Sequence, residues 1–152
     1  MIEKANVTDA GEILALQRLA YISEAEIYGD YRISPLTQTL VEVEEEFSAR
    51  VFLKMVVDGR IVGSARGREQ DGTCHVGRLV VHPDYQKRGY GSRLLTGMEE
   101  FFPRCGRFEL FTGHKSVANI RLYQKHGYIP FKTETVTDGL SFIYLEKIKG
   151  KS

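Results

Sequence analysis

The sequence offers little that would hold a metal, a nucleic acid or a membrane. It contains two cysteines, Cys74 and Cys105, with no CxxC pair and no His pair at ligand spacing nearby. That pattern argues against zinc and any other structural metal, and it reads as two reduced thiols in a cytoplasmic protein. The net charge of +1 lacks the basic excess of a dedicated nucleic-acid binder, so no nucleic-acid partner is expected. No apolar run exceeds four residues, Ile13 to Leu16 being one, so no membrane-spanning helix and no membrane partner are expected. The opening "MIEKANVTDA" has no apolar signal core, which argues against secretion. Internal repeats, low-complexity tracts and Pro/Gly-rich linkers are also missing. One domain over residues 1–152 follows, long enough to bury a substantial core.

Residues 2–6 suit a short strand. Asp9 and Glu12 have capping-box spacing, and apolar positions 13, 14, 16, 19 and 20 follow at helical period, which predicts a helix over 9–21. A second short helix is expected within 22–34, breaking near Gly29, and Pro35 can open a third through "LTQTLVEVEEEF". The middle is β: "VFLKMVVD" ends at Asp58-Gly59, "RIVGSARGRE" ends near Asp71-Gly72, and "TCHVGRLVV" follows. Each Asp-Gly is a hairpin signal, so these three strands form an antiparallel meander. A helix (89–102), a strand (107–112), a helix (116–126), a strand (128–136), a turn at Asp138-Gly139 and a last strand "LSFIYLEKI" complete an α+β order with a mostly antiparallel central sheet.

The stretch "LVVHPDYQKRGYGSRLL" runs from strand through loop to helix. The first amides of a helix lack internal partners, and the helix dipole adds about half a positive charge there. With Gly89, Gly91, Lys87, Arg88 and Arg93 around it, this helix start suits an anion. It is not a P-loop, because GxxxxGK[ST] is absent, and no Mg²⁺-holding Ser/Thr or Asp stands at that spacing. A dinucleotide fingerprint would need its third glycine at Leu94. On spacing alone, a plain strand–helix connection with turn glycines is the alternative.

Gln86-Lys87-Arg88-Gly89-Tyr90-Gly91 resembles the Q/R-x-x-G-x-G/A signature of the GNAT (Gcn5-related N-acetyltransferase) superfamily, and "NIRLYQKHGYIPF" resembles its second motif. The order of elements is similar too, so the resemblance covers nearly the whole chain. It implies a six- to seven-stranded sheet with a V-shaped splay and about four helices. It implies acetyl-CoA as co-substrate, its pyrophosphate on the amides around Lys87, Arg88, Gly89, Tyr90, Gly91 and Ser92, with Gln86 in the same signature. Leu79, Val80 and Val81 would pair with the pantetheine arm along a bulged strand, and an amide near Val80 or Val81 would polarise the thioester carbonyl.

Asn119 and Tyr123 share a helix face. The resemblance makes Tyr123 the acid that protonates the leaving thiolate and Asn119 a cofactor contact; a packed aromatic is the structural alternative for Tyr123. Many relatives carry Asn seven residues before this Tyr, where Ser116 stands here. The general-base position of histone-type members falls on His75, which can serve near neutral pH; a solvated strand residue is the alternative. Cys74 precedes His75, and strand neighbours face opposite ways, so no Cys–His pair is expected. Glu24 and Glu26 are further base candidates. The resemblance puts the acceptor wall in the early helices, with Tyr21, Glu24, Tyr28 and Tyr31, and His114 in a bordering loop; His82 belongs to the cradle loop. Aromatics with carboxylates suit a cationic amine.

The leading expectation is therefore transfer of an acetyl group to a primary amine, small-molecule or peptide, by direct attack in a ternary complex. A CoA-binding sensor or interaction module without transferase activity is the alternative. A homodimer through the C-terminal strands is compatible with the sequence, which does not decide it.

Overall fold

The computed structural model describes residues 1–149. Its elements are β1 (Ile2–Lys4), α1 (Ala10–Tyr28), α2 (Ser34–Thr37), α3 (Leu40–Glu46), β2 (Val51–Val57), β3 (Arg60–Gln70), β4 (Thr73–Val81), α4 (Tyr90–Phe101), β5 (Arg107–Gly113), α5 (Val117–Lys125), β6 (Ile129–Thr137) and β7 (Leu140–Ile148). One sheet runs in the order β1-β2-β3-β4-β5-β7-β6. Every neighbouring pair is antiparallel except β4–β5. The expected α+β sheet with flanking helices is thus present, and Asp58-Gly59 and Asp71-Gly72 take the positive φ typical of two-residue hairpin turns, whereas Asp138-Gly139 does not.

The early helices differ from the sequence reading. Residues 10–28 form one uninterrupted helix rather than two, because no breaker precedes Gly29, whose left-handed φ of 62° ends it. The capping box lies one turn earlier than expected, between Asn6 and Asp9, while Glu12 accepts the Ile61 amide on β3. The helix opened by Pro35 stops after four residues; Thr39 then caps α3 in a second box with Glu42.

Two cores lie on opposite faces of the sheet. One, beneath α4 and α5, includes Leu53, Met55, Val62, Leu94, Leu95, Met98, Phe108 and Tyr123. The other, beneath α1 and α3, includes Ile13, Leu14, Leu16, Val43, Phe52 and Val80. α4 lies directly on β3 because Gly63 and Gly67 give it room: a Cβ would stand 2.8 Å from Leu94 Cδ1 and 2.6 Å from Met98 Sδ, respectively. On the other face, buried Arg66 ties β3 to the helices. It pairs with Glu46 at 2.9 Å, donates to Gln17 and stacks over Phe52.

Two features of β4 shape the site. It pairs with β5 only from Thr73 to His75, after which the strands diverge. Against β3 its register slips by one, since Arg66 pairs with Gly77 while Ser64 pairs with Val80. The extra residue is a bulge, and Arg78 within it has φ 48°. Cys74 and Val76 face α4, but beyond the bulge Val80 faces α1, and Leu79 and Val81 lean toward α4.

Candidate active site

The site is built where β4 and β5 part. From Val76 to Val81 the edge of β4 toward β5 has no strand partner among the described residues. This edge leads to the loop that precedes α4. Gln86 Nε2 donates to the Val81 carbonyl at 3.3 Å and holds the loop to the strand end. His82 Nδ1 accepts the Asp84 amide at 3.0 Å. Lys87 and Gly89 both take positive φ, 63° and 81°. Gly89 is the N-cap of α4, and no side chain caps it. The first capping bond is from Arg93 N–H to the Gly89 carbonyl, so Tyr90, Gly91 and Ser92 present their amides outward. Arg88 lies over the Tyr85 ring and Arg93 over the Tyr90 ring.

The two glycines of this loop do different jobs. Gly89 needs its freedom for the left-handed turn, and the space around it is open. Gly91 instead lets α4 approach α5: a Cβ there would lie 3.3 Å from Leu122 Cδ2. Ser92 Oγ lies 2.9 Å from His126 Nε2, joining the start of α4 to the end of α5.

Tyr123 is buried on α5, 6.3 Å from the Tyr128 ring. Its hydroxyl makes no hydrogen bond to the described residues. Burial, and after it the neighbouring Tyr21 and Glu24, push the phenol above its ordinary range. Tyr21 is raised by burial as well, against the lowering pull of Arg78. Burial therefore favours the protonated phenol, which has a proton to donate.

His75 stands at the vertex of the splay, on the last paired position of β4 opposite Glu109. Its Nδ1 is 3.8 Å from Glu109 Oε2, and Glu109 also holds Arg107 at 2.9 Å. Cys74 points into the α4 core, away from His75. Burial, with Cys105 beside it, pushes its thiol up to about 12, which leaves it inert as a nucleophile.

A polar latch joins α1 to the start of α5. Glu24 accepts from Ser116 Oγ at 2.8 Å and from Asn119 Nδ2 at 2.9 Å. Asn119 Nδ2 also donates to Thr112 Oγ1 at 3.3 Å. Tyr28 Oη lies 2.9 Å from Ser116 Oγ and accepts the Lys115 amide at 2.9 Å. It fits against Gly113, where a Cβ would come within 2.0 Å of it. His114 borders the Tyr28 ring at 5.9 Å, and its Nδ1 accepts the Ser141 amide at 3.0 Å. Tyr21, Glu24, Tyr28 and His114 thus gather at the same end of the splay, while Tyr31 is exposed on the loop beyond α1.

Sequence reasoning missed three parts of this region. It did not find Arg78 as the bulge residue or the Glu24 latch. It also missed the bare face of β5–β7, where Phe111 packs against Phe142 at 4.7 Å and Tyr144 at 5.2 Å. For Phe111 a signal existed: "FELF" puts Phe108 and Phe111 on opposite faces by strand alternation. No group of acids, histidines or cysteines suited to a metal ion occurs among the described residues. No described helix is long and apolar enough to cross a membrane.

Residues 13–128 match the model of the Acetyltransferase (GNAT) family. The UPF0157 protein YqkA of Bacillus subtilis (strain 168) is 28% identical over 139 residues, covering 91% of this chain and 40% of that protein, so the chain spans well under half its length. An acetyltransferase of Yersinia pestis (strain Pestoides F) is 27% identical over 100 residues, 63% of this chain and 71% of that protein. Among solved structures, the PaiA N-acetyltransferase from Thermoplasma acidophilum in complex with coenzyme A superposes with a TM-score of 0.80 at 17% identity, over 97% of this chain and 98% of that one. The ribosomal-protein-S18-alanine N-acetyltransferase from Escherichia coli gives 0.78 at 17% identity, over 100% and 95%.

Proposed function

The chain belongs to the GNAT acetyltransferase family, and from that premise we propose that it moves the acetyl group of acetyl-CoA to a primary amine by direct attack in a ternary complex. The observation that carries the reading is the unpaired β4 edge from Val76 to Val81, ending at the uncapped start of α4. Pantetheine is amide-bearing and extended, so it can pair with that edge as a strand would. The pyrophosphate then falls on the amides of Gly89, Tyr90, Gly91 and Ser92, with Lys87 and Arg88 adding charge. The relative from Thermoplasma acidophilum, solved with coenzyme A, supports this use of the shared fold.

In the reaction a neutral amine nitrogen attacks the thioester carbon. A C–N bond forms and the C–S bond breaks; the nitrogen sheds its extra proton and the sulfur leaves as a thiolate that gains one. An amide of the Val80–Val81 edge supports the carbonyl oxygen as it takes on charge. His75, 3.8 Å from Glu109, is the proposed base, and Tyr123 is the proposed donor to the sulfur. Asn119 has its Nδ2 committed to Glu24 and Thr112, which leaves Oδ1 for the cofactor. Tyr21, Tyr28 and His114 wall the acceptor side, and Glu24 serves it by holding α1 to α5.

The test is thiol release from acetyl-CoA with a panel of primary amines, alongside calorimetric titration of CoA. Amine-dependent release is expected. Tight CoA binding with no release by any amine would return the protein to a binding module.

A further inference from the structure

The acceptor side of the splay carries cations that no acid of the described residues neutralises. Arg78 lies within the β4 bulge at φ 48°, a conformation unfavourable for a non-glycine residue and one that collects at functional sites. Its guanidinium donates to Ser34 Oγ at 3.0 Å, and its charge reaches the Tyr21 phenol. It forms no ion pair among the described residues. Arg68 pairs in register with His75, and its buried Nε has no hydrogen-bond partner. The carboxylates of this region are already engaged. Glu46 holds Arg66 and Arg50, Glu109 holds Arg107, and Glu24 is taken by Ser116 and Asn119.

We propose that Arg78 binds a carboxylate carried by the acceptor, so that the acceptor is an amino acid or a close amino carboxylate rather than a simple alkylamine. This rests on the acetyl-transfer reading above. The guanidinium fork matches a carboxylate in two parallel hydrogen bonds, and Ser34 occupies only part of it. The cofactor phosphates are not its target. They belong to the amides past Val81, whereas Arg78 reaches toward α2. Arg78 sits in the β4 bulge beside the open edge assigned to the thioester, so a carboxylate held there suits an acceptor whose amine and carboxylate are close together, as in a free amino acid, and does not suit a peptide N-terminus, whose neighbouring carboxyl is an amide.

The test compares each of several amino acids with its carboxamide, with a dipeptide bearing the same first residue, and with the matching aminophosphonate. We expect kcat/KM at least tenfold higher for the acid than for the amide, carried by KM, and Arg78→Met to erase that difference while Arg78→Lys retains part of it. Calorimetry of the N-acetyl amino acid against its amide on the CoA-loaded protein reads the same contact without turnover, and the acid should bind at least tenfold tighter. Equal use or equal binding of acid and amide, a preference that survives in Arg78→Met, or a preference for the phosphonate would each overturn the assignment. CoA titration in the same samples reports separately on the acetyl-transfer reading.

Discussion

Asn119 and Glu24 meet although 95 positions separate them, the amide donating to the carboxylate at 2.9 Å. Glu24 lies on the helix covering one face of the sheet and Asn119 on a helix of the other, so the contact passes by the open end of the splay. It ties the two faces together at that end, and in the proposed function it holds the acceptor wall and the cofactor side in one geometry.

A double-mutant cycle of Glu24→Ala and Asn119→Ala should therefore show coupling. A hydrogen bond to a charged group is worth about 1.5–3 kcal/mol net, and partial exposure should bring the coupling to the lower end of that range. Urea denaturation of the four proteins measures it, and strictly additive effects would count against the latch.

Gly113→Ala should break the same latch from another side. A methyl at Gly113 has to displace the Tyr28 hydroxyl, which frees Ser116 and the Lys115 amide at once. The melting temperature should fall, and Tyr28→Phe should relieve part of the loss. A Gly113→Ala protein as stable as the parent would show that Tyr28 does not occupy this position.

Tyr123→Phe should lower kcat by about 10²-fold, the low end of the range for a positioned proton donor, with cofactor KM little changed. Burial raises the phenol, so the activity should show no loss from Tyr123 ionisation up to pH 10. An unchanged kcat would make Tyr123 a packing residue.

The cradle glycines should separate in experiment. Gly89→Ala forces a side chain into a left-handed turn at a cost of about 1–2 kcal/mol and should weaken CoA binding about tenfold. Gly91→Ala meets only a side-chain methyl of Leu122 and should do less, whereas Gly91→Glu should abolish CoA binding. Unchanged CoA affinity in Gly91→Glu would remove the phosphate assignment.

Cys74 gives an alkaline signature. Its folded thiol is pushed up to about 12 from 9.0, so the folded state holds its proton after the unfolded chain has lost it. Stability from this group is complete below about pH 9 and declines as pH rises toward 12. Half-buried Tyr21 and buried Tyr128, both raised chiefly by desolvation, act in the same direction above pH 10. The denaturation midpoint should fall between pH 9 and 11, less steeply in Cys74→Ala, and iodoacetamide at pH 8 should spare Cys74 until the protein is unfolded. A midpoint constant to pH 11 would contradict the burial of these groups.

What the sequence made legible was local. Asp58-Gly59, Asp71-Gly72 and the Gly89-Tyr90-Gly91 loop announce themselves because their backbone conformations restrict which residues can stand there. The α1 boundary is not legible because "YISEAEIY" weakens the helical period without holding a breaker. Arg78 was invisible for a sharper reason: within "VGRL" the glycine is the natural residue for positive φ, yet Gly77 takes the strand pairing and the arginine takes the turn. The Glu24 latch is set by how α1 crosses the sheet, and no spacing in the chain encodes it.

Arg78 also means that β4 is two half-strands alternating in opposite phase. Upstream, the even positions Cys74 and Val76 enter the core below α4; downstream, the odd positions Leu79 and Val81 do. A polar-substitution scan along this strand should give two alternating patterns that collide at the bulge instead of one running through. Deleting Arg78 would merge the two phases into one regular alternation, with Leu79 and Val81 still on the face of Cys74 and Val76 and the pairing to β3 kept. What the strand would lose is the local bend that a bulge imposes.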